Sequence, residues 1–328
     1  MKSKRIARWF ARLAVPAALL ASASAAQAAP LRVGYSDWPG YVAWQIAIDK
    51  GWIKKAGLDV DFEWFDYSAS LDAFAAGKLD GVLLVNSDAL VTGSGGAKSV
   101  MILLTDYSSG NDMIVAKPGI KSLAQLKGKK VAVEEGLVEH LLLLYGLKKA
   151  GMSPSDITLV NAKTNEMPQV LASGEVAAVG AWQPVSGQAM RAVPGARPVL
   201  TSAEAPGLIY DALAVSPTSL KQHRAEWAKL VGIWGRVVHY IQDPKTQPDA
   251  LRIMSARDGL TPAAYLPLLK GTHLLDDAAN RAAFVKGPGL NSIYGSTQNA
   301  DNFNVTYKVY KTHEDVDSYI DGSLVPAK

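Results

Sequence analysis

Acidic and aromatic side chains gather where short apolar runs stop. Ser36-Asp37-Trp38 follows the run Leu31–Tyr35, Asn86 follows Gly81–Val85, and Asp106-Tyr107 follows Val100–Thr105. Later, Glu134-Glu135 follows Val131–Val133 with His140 just beyond, and Trp182-Gln183 follows Val176–Ala181. Asp211 lies inside a last run, Leu208–Ser216. Carboxylates and flat rings suit a guest rich in N–H groups. One carboxylate accepts two parallel hydrogen bonds, and a ring face attracts a cation with ~0.5–2 kcal/mol. No arginine occurs between Arg32 and Arg191. Arginine is the natural bidentate partner of sulfonate-like or carboxylate oxygens, so its absence disfavours an anion, although a helix N-terminus alone can hold one.

Each of these residues also has a purely structural role open to it. Asp37 can cap a first helix, Asn86 can hold a turn, and Trp182 can be a wall between strand and helix. Asp106 and Asp211 can serve as hydrogen-bonding groups, Glu135 can complement a helix dipole, and His140 can be packed with its polar atoms satisfied.

Catalytic signatures are lacking. There is no P-loop and no GxSxG elbow, and His140, His223, His239, His273 and His313 stand far apart without an HExxH spacing. Gly93-Ser94-Gly95-Gly96 lacks the lysine of a phosphate cradle and reads as a flexible turn. Cysteine is absent, which removes disulfides, thiolate chemistry, cysteine metal sites and a lipidated cysteine anchor. No cofactor and no metal are expected.

The elements that must position these residues alternate. Strands are expected at Leu31–Tyr35, Val60–Trp64, Gly81–Val85, Val100–Thr105 and Met113–Ala116, with helices over Val42–Lys50 and Leu71–Ala76. A second set follows, with strands at Val131–Val133, Ile157–Val160 and Val176–Ala181 and helices at Val138–Ala150 and Pro168–Ala172. This alternation predicts parallel α/β units. Lys148-Lys149-Ala150-Gly151 repeats Lys54-Lys55-Ala56-Gly57, so two similar lobes are expected. The chain returns through Leu208–Ser216 and then becomes mainly helical, with Arg224–Gln242 the longest helix. The expected division is lobe one over 30–113 plus 213–328, and lobe two over 114–212. In an open α/β sheet ligands sit outside the carboxyl ends of the strands, which is where the acidic and aromatic residues fall.

The first 29 residues read as a secretory signal peptide: a basic start at Lys2, Lys4, Arg5, Arg8 and Arg12, an apolar stretch from Leu13 to Ala21, and small residues to Ala29. The apolar part is shorter than the roughly 20 residues that span a bilayer. Those five cations account for the basic balance of the 328-residue chain. Without them 29 basic residues face 30 acidic ones, a net of −1, so nothing points to nucleic acid or to a membrane surface.

Several phrases resemble the nitrate/sulfonate/taurine-type (NitT/TauT, SsuA-like) family of ABC substrate-binding proteins. They are Gly51-Trp52-Ile53-Lys54-Lys55-Ala56-Gly57-Leu58-Asp59-Val60, Ala75-Ala76-Gly77-Lys78-Leu79-Asp80, Ser122 to Val133, and Ala181-Trp182-Gln183-Pro184. The resemblance implies a two-lobed periplasmic binding protein of type II, with two crossing strands as hinge and a cleft that closes on a small molecule. It implies an ABC permease and its ATPase as partners, and a periplasmic location as a monomer. Tyr35 to Gly40, Gly110 to Val115 and Pro206 to Asp211 resemble the urea-carboxylase-associated branch, which implies a guanidine- or urea-like ligand. Anion-binding members carry a small hydroxyl residue or glycine where this chain has Glu135. The ligand set expected from both lines is Asp37, Trp38, Asn86, Asp106, Tyr107, Glu135, His140, Trp182, Gln183 and Asp211. A sulfonate, nitrate or pyrimidine ligand, an exported hydrolase of amidino or amide compounds, and a partner of a membrane sensor are the alternatives.

Overall fold

Every apolar run expected to be a strand forms one, and two sheets contain them all. In the computed structural model, residues 29–327 are described; the signal segment expected at 1–29 lies, save its last residue, outside them. Among the described residues no helix is long and apolar enough to cross a membrane.

The first sheet has six strands in the order β11-β4-β10-β3-β1-β2. These are β1 (Leu31–Tyr35), β2 (Val60–Trp64), β3 (Gly81–Val85), β4 (Val100–Ser108), β10 (Tyr210–Val215) and β11 (Thr272–Leu274). The second has five, ordered β7-β6-β8-β5-β9. These are β5 (Met113–Ala116), β6 (Lys130–Val133), β7 (Thr158–Asn161), β8 (Ala178–Ala181) and β9 (Arg197–Thr201). The parallel β1–β2, β1–β3, β6–β7 and β6–β8 pairs are the expected α/β units. Strands β4 and β10 run antiparallel to each other, as do β5 and β9, and the chain crosses between sheets at 109–112 and again at 202–209. The expected lobe boundaries fall inside strands: Met113 pairs with Ala181 in the second sheet, and Tyr210–Ala212 pair with β4 in the first.

The repeated Lys-Lys-Ala-Gly phrase has one physical job. Gly57 and Gly151 both sit at φ near +70° (69° and 68°), and their N–H groups bond back to Lys54 and Lys148. A left-handed glycine ends each helix, as a side-chain-bearing residue does only with strain. The crossing segments are tied together by Ser108 and Ser202, whose hydroxyls lie 2.6 Å apart.

Helix Arg224–Gln242 buries Trp227, Leu230, Val231, Trp234, Val237, Val238 and Ile241 along one stripe of helical period. Trp234 packs on Trp44 with ring centres 5.1 Å apart, which seats the late helix beside the helix Trp44–Asp49. The carboxy-terminal segment closes the first lobe, with Ile320 bridging to Met101 of β4.

Gly93 and Ser94, expected in a flexible turn, end the helix Asn86–Ser94; only Gly95 and Gly96 lie beyond it. A Cβ on Gly93 would meet the Tyr319 hydroxyl at 2.0 Å, so the glycine is there for close packing of the terminal segment. Gly93→Ala is expected to destabilise the protein by ~1–3 kcal/mol in urea unfolding, the usual cost of overpacking.

Candidate functional site

Between the sheets lies a small cavity of about 10 Å³, room for about one water molecule, so a guest enters only when the lobes part. Four aromatic side chains wall it: Trp38 and Tyr41 after β1, Tyr67 at the start of helix Tyr67–Ala75, and Trp182 after β8. Val85, Val138 and Ile209 add apolar surface, and Asp112 and Asp211 supply carboxyl groups.

The ring donors are all engaged. Trp38 Nε1–H donates to Asp106 at 3.0 Å, and the Tyr41 hydroxyl donates to Asp211 at 2.5 Å. The Tyr67 hydroxyl donates to Asp88 at 2.7 Å, and Trp182 Nε1–H donates to Asp37 at 3.1 Å. Each ring is thus held in place by a carboxyl group that takes its polar hydrogen. Among the side chains that line the cavity, the polar atoms left without a partner are carboxyl oxygens of Asp112 and Asp211.

Those acceptors are many. Asp106 Oδ2, Asp112 Oδ2, Asp211 Oδ2 and both oxygens of Glu139 are buried without a hydrogen-bond partner. Asp106 and Asp211 are direct cross-strand neighbours on β4 and β10, near enough for the charge of Asp106 to raise the Asp211 pKa. Asp112 lies near enough to Glu139 for its charge to raise the Glu139 pKa. Glycines make the room. A Cβ on Gly40 would stand 1.8 Å from Asp106 Oδ2, and one on Gly180 would stand 2.8 Å from Glu139 Cβ. Among the described residues no lysine or arginine is buried.

Of the residues expected from the sequence, Trp38, Trp182 and Asp211 line the cavity and Asp106 adjoins it. Asp37 sits at an outer vestibule with Asp66 and Glu134; Trp38 is the N-cap of the first helix, without a side-chain bond, so Asp37 is no cap there. The other five lie elsewhere. Tyr107 points to the opposite face of β4 from Asp106, as the two-residue period of a strand demands, and stacks on His273 with centres 4.4 Å apart. Glu135 is exposed and borders a surface groove, because the turn carries it outward before helix Val138–Lys149 begins. His140 turns back to accept the Gly136 N–H at Nδ1, and burial lowers its pKa. The Asn86 amide accepts from Tyr210 N–H and donates to Ser296 and Thr297, which ties β3 to β10 and to helix Ile293–Thr306. Gln183 bonds through its backbone to Asn111, and its side chain lies against Gly187 of the following helix.

Residues 24–255 match the profile described as the NMT1-like family. The chain belongs to the NMT1-like family. This NMT1-like chain is 35% identical over 190 residues to a Brucella abortus (strain 2308) protein with a provisional binding-protein name, across 57% of this chain and 59% of that one. It is 30% identical over 194 residues to the taurine-binding periplasmic protein of Escherichia coli (strain K12), covering 58% of each. The chain thus spans about three-fifths of the length of the curated relatives it matches. The solved alkanesulfonate-binding protein SsuA of Xanthomonas axonopodis pv. citri, bound to MOPS, superposes with a TM-score of 0.73 at 18% identity, over 90% of this chain and 99% of that one. That likeness gives the fold: a two-lobed α/β periplasmic binding protein.

Sequence reasoning missed Tyr41, Tyr67, Asp88, Asp112 and Glu139 in this NMT1-like site. One signal was available. Glu139 and Asp88 both fall in the first turn of a helix that follows a strand, the place where a helix N-terminus attracts an anion. Here the protein's own carboxyl group stands beside that place.

Burial pushes Asp88 and Asp106 up to about 7 and Asp112 up to about 6, against the hydrogen bonds each accepts. Glu139 and Asp211 are held well above the carboxylate range, by burial first and then by Asp112 and Asp106. Folding therefore takes up protons that the unfolded chain has released above pH 3.8, so stability falls as pH rises through the folded-state values. The ligand-free protein is expected to melt higher at pH 5 than at pH 7.5 in scanning calorimetry. Asn86→Ala is expected to cost ~1–3 kcal/mol of stability by orphaning the Tyr210 N–H, without changing which ligands bind.

Proposed function

We propose that this chain is the periplasmic solute-binding component of an ABC importer, and that it carries a compact, nitrogen-rich polar solute of the guanidine or urea type. The observation that carries the reading is a cavity walled by four aromatic side chains in which the unpartnered polar atoms of the lining are carboxyl oxygens. A planar guest with N–H edges supplies the missing donors, and the rings cover its flat face. Cation–π contact adds ~2 kcal/mol or more in a dry site.

Binding and release follow from the crossing segments. Asp106, Asp112 and Asp211 lie at or beside the two connections, whereas Glu139 and Trp182 belong to the second lobe and Trp38, Tyr41 and Tyr67 to the first. The solute enters through the acidic vestibule, docks on the first lobe, and is enclosed when the second lobe brings Trp182 against Tyr67. In the present structure those two rings meet edge-on at 5.2 Å, and Asn165 reaches Asp66 across the cleft at 3.2 Å. Enclosure demands that every buried polar group find a partner, since an unpaired one costs ~1–3 kcal/mol. Selection of the solute therefore needs no chemical step. The closed form delivers its cargo to the permease, and the ATPase supplies the energy.

A sulfonate reading is favoured by the names of the taurine-binding and alkanesulfonate-binding relatives. Against it stands the make-up of the cleft, in which five carboxyl groups are buried at or beside the cavity and, among the described residues, no lysine or arginine is buried to pair with an anion.

Guanidinium chloride at low millimolar concentration and urea are expected to raise the melting temperature, while taurine and nitrate leave it unchanged. A clear upward shift with taurine or nitrate overturns the reading. Asp211→Asn is expected to weaken guanidinium binding in calorimetry by about 10–100-fold, equivalent to ~1.4–2.8 kcal/mol. Glu135→Gln, a change at an exposed charge, is expected to alter it by less than about fivefold.

A further inference from the structure

Resting on that reading, we propose that the guest is taken up as a cation in exchange for protons held between two carboxyl pairs, Asp106–Asp211 and Asp112–Glu139. The geometry of the site motivates it. Asp106 and Asp211 are cross-strand neighbours, the charge of Asp112 acts on Glu139, and each of the four has at least one buried oxygen with no donor to satisfy it. Two carboxylates without a shared proton repel; with one they form a hydrogen bond. Among the described residues no buried lysine or arginine supplies a positive charge there, so a proton in each pair is the charge that balances them.

The neighbours leave no other source. Around Asp106–Asp211 stand Tyr41 and Asp112, and Tyr265 of helix Pro262–Lys270 feels the charge of Asp106. Around Asp112–Glu139 stand Asp88 of helix Asn86–Ser94 and Glu134 after β6. His140, the next residue along, has its Nδ1 occupied by the Gly136 N–H and is held neutral by burial. Helix Ile293–Thr306 packs on the same helix, but its one buried carboxylate, Asp301, is bound by Tyr310, His313 and the Glu314 N–H. Among the described residues no lysine or arginine is buried beside the four carboxyls.

A guanidinium ion that enters between Asp112 and Asp211 offers N–H donors to the oxygens now orphaned. Its charge replaces that of a shared proton, whose O–H bond breaks as the proton passes to solvent water through the vestibule. One cation enters and one proton leaves, so the charge of the cleft is unchanged. A neutral amide such as urea makes hydrogen bonds to the same protonated pairs and displaces nothing. The exchange is thus a means of telling a cation from its neutral isostere.

The test is a titration of the protein in unbuffered potassium chloride near pH 7, followed with a pH electrode. Addition of guanidinium chloride is expected to release about one proton per site, and its affinity is expected to fall about tenfold for each pH unit below that, as linkage requires. Urea is expected to bind without release and with an affinity independent of pH. Glu139→Gln, which mimics a permanently protonated acid, is expected to reduce the release and to weaken guanidinium more than urea. Asp106→Asn, on the other pair, provides the same reading if the first variant folds poorly. Guanidinium binding without proton release overturns this inference alone, as does equal release with urea. Failure of both guests to bind removes the functional reading beneath it, and this inference with it.

Discussion

A buried carboxylate needs a partner, and in this cleft the protein supplies too few. Five such groups, Asp88, Asp106, Asp112, Glu139 and Asp211, are gathered among aromatic rings and valines with no buried lysine or arginine. Removal of an ionised carboxylate from water costs several kcal/mol even after relaxation, so the arrangement holds only with protons, with a cationic guest, or with both. Much else follows from this constraint. The hydroxyl or indole N–H of each wall ring is turned toward a carboxylate and away from the guest. Gly40 and Gly180 stand where a methyl group would collide with Asp106 or Glu139. The charged groups cluster at the crossing segments, so a bound guest is read where the lobes hinge.

The same constraint separates fold from cargo. The NMT1-like chain shares its architecture with an alkanesulfonate-binding protein at a TM-score of 0.73 but at 18% identity. At that distance strand order and lobe arrangement persist while the lining of the cleft is free to change sign. Fold sets where a ligand sits, and the side chains at that place set which ligand it is.

Much of the architecture was legible in the sequence because it depends on local pattern. Apolar runs bounded by turns became strands, the repeated helix ends marked two similar lobes, and Arg224–Gln242 formed with the expected limits. The short β9 and β11 gave no signal: Arg197–Thr201 is largely exposed and Thr272–Leu274 has three residues. The site was legible only in its kind. Acids and rings at strand ends were the right chemistry, yet Asp106 and Tyr107 are adjacent and a strand sends them to opposite faces. Glu135 and Glu139 differ by one helical turn, and the turn at Gly136 decided which one is buried. Tyr41 and Tyr67 could not be chosen in advance, since their value comes from Asp211 and Asp88, groups 170 and 21 residues away.

Strand β10 lies between β3 and β4 in the first sheet, although both of those are made more than a hundred residues earlier. A chain emerging amino-terminus first must therefore hold a vacant slot between two finished strands until residue 210 arrives. The second sheet repeats the insertion over a shorter stretch, with β8 entering between β5 and β6 and all its strands lying between 113 and 201. The later lobe can mature while the earlier one is still a gapped sheet with two unpaired edges. Such edges invite mispairing with other chains. The acidic hinge is thus completed only after the second lobe's strands have been made, by the insertion of the strand that carries Asp211.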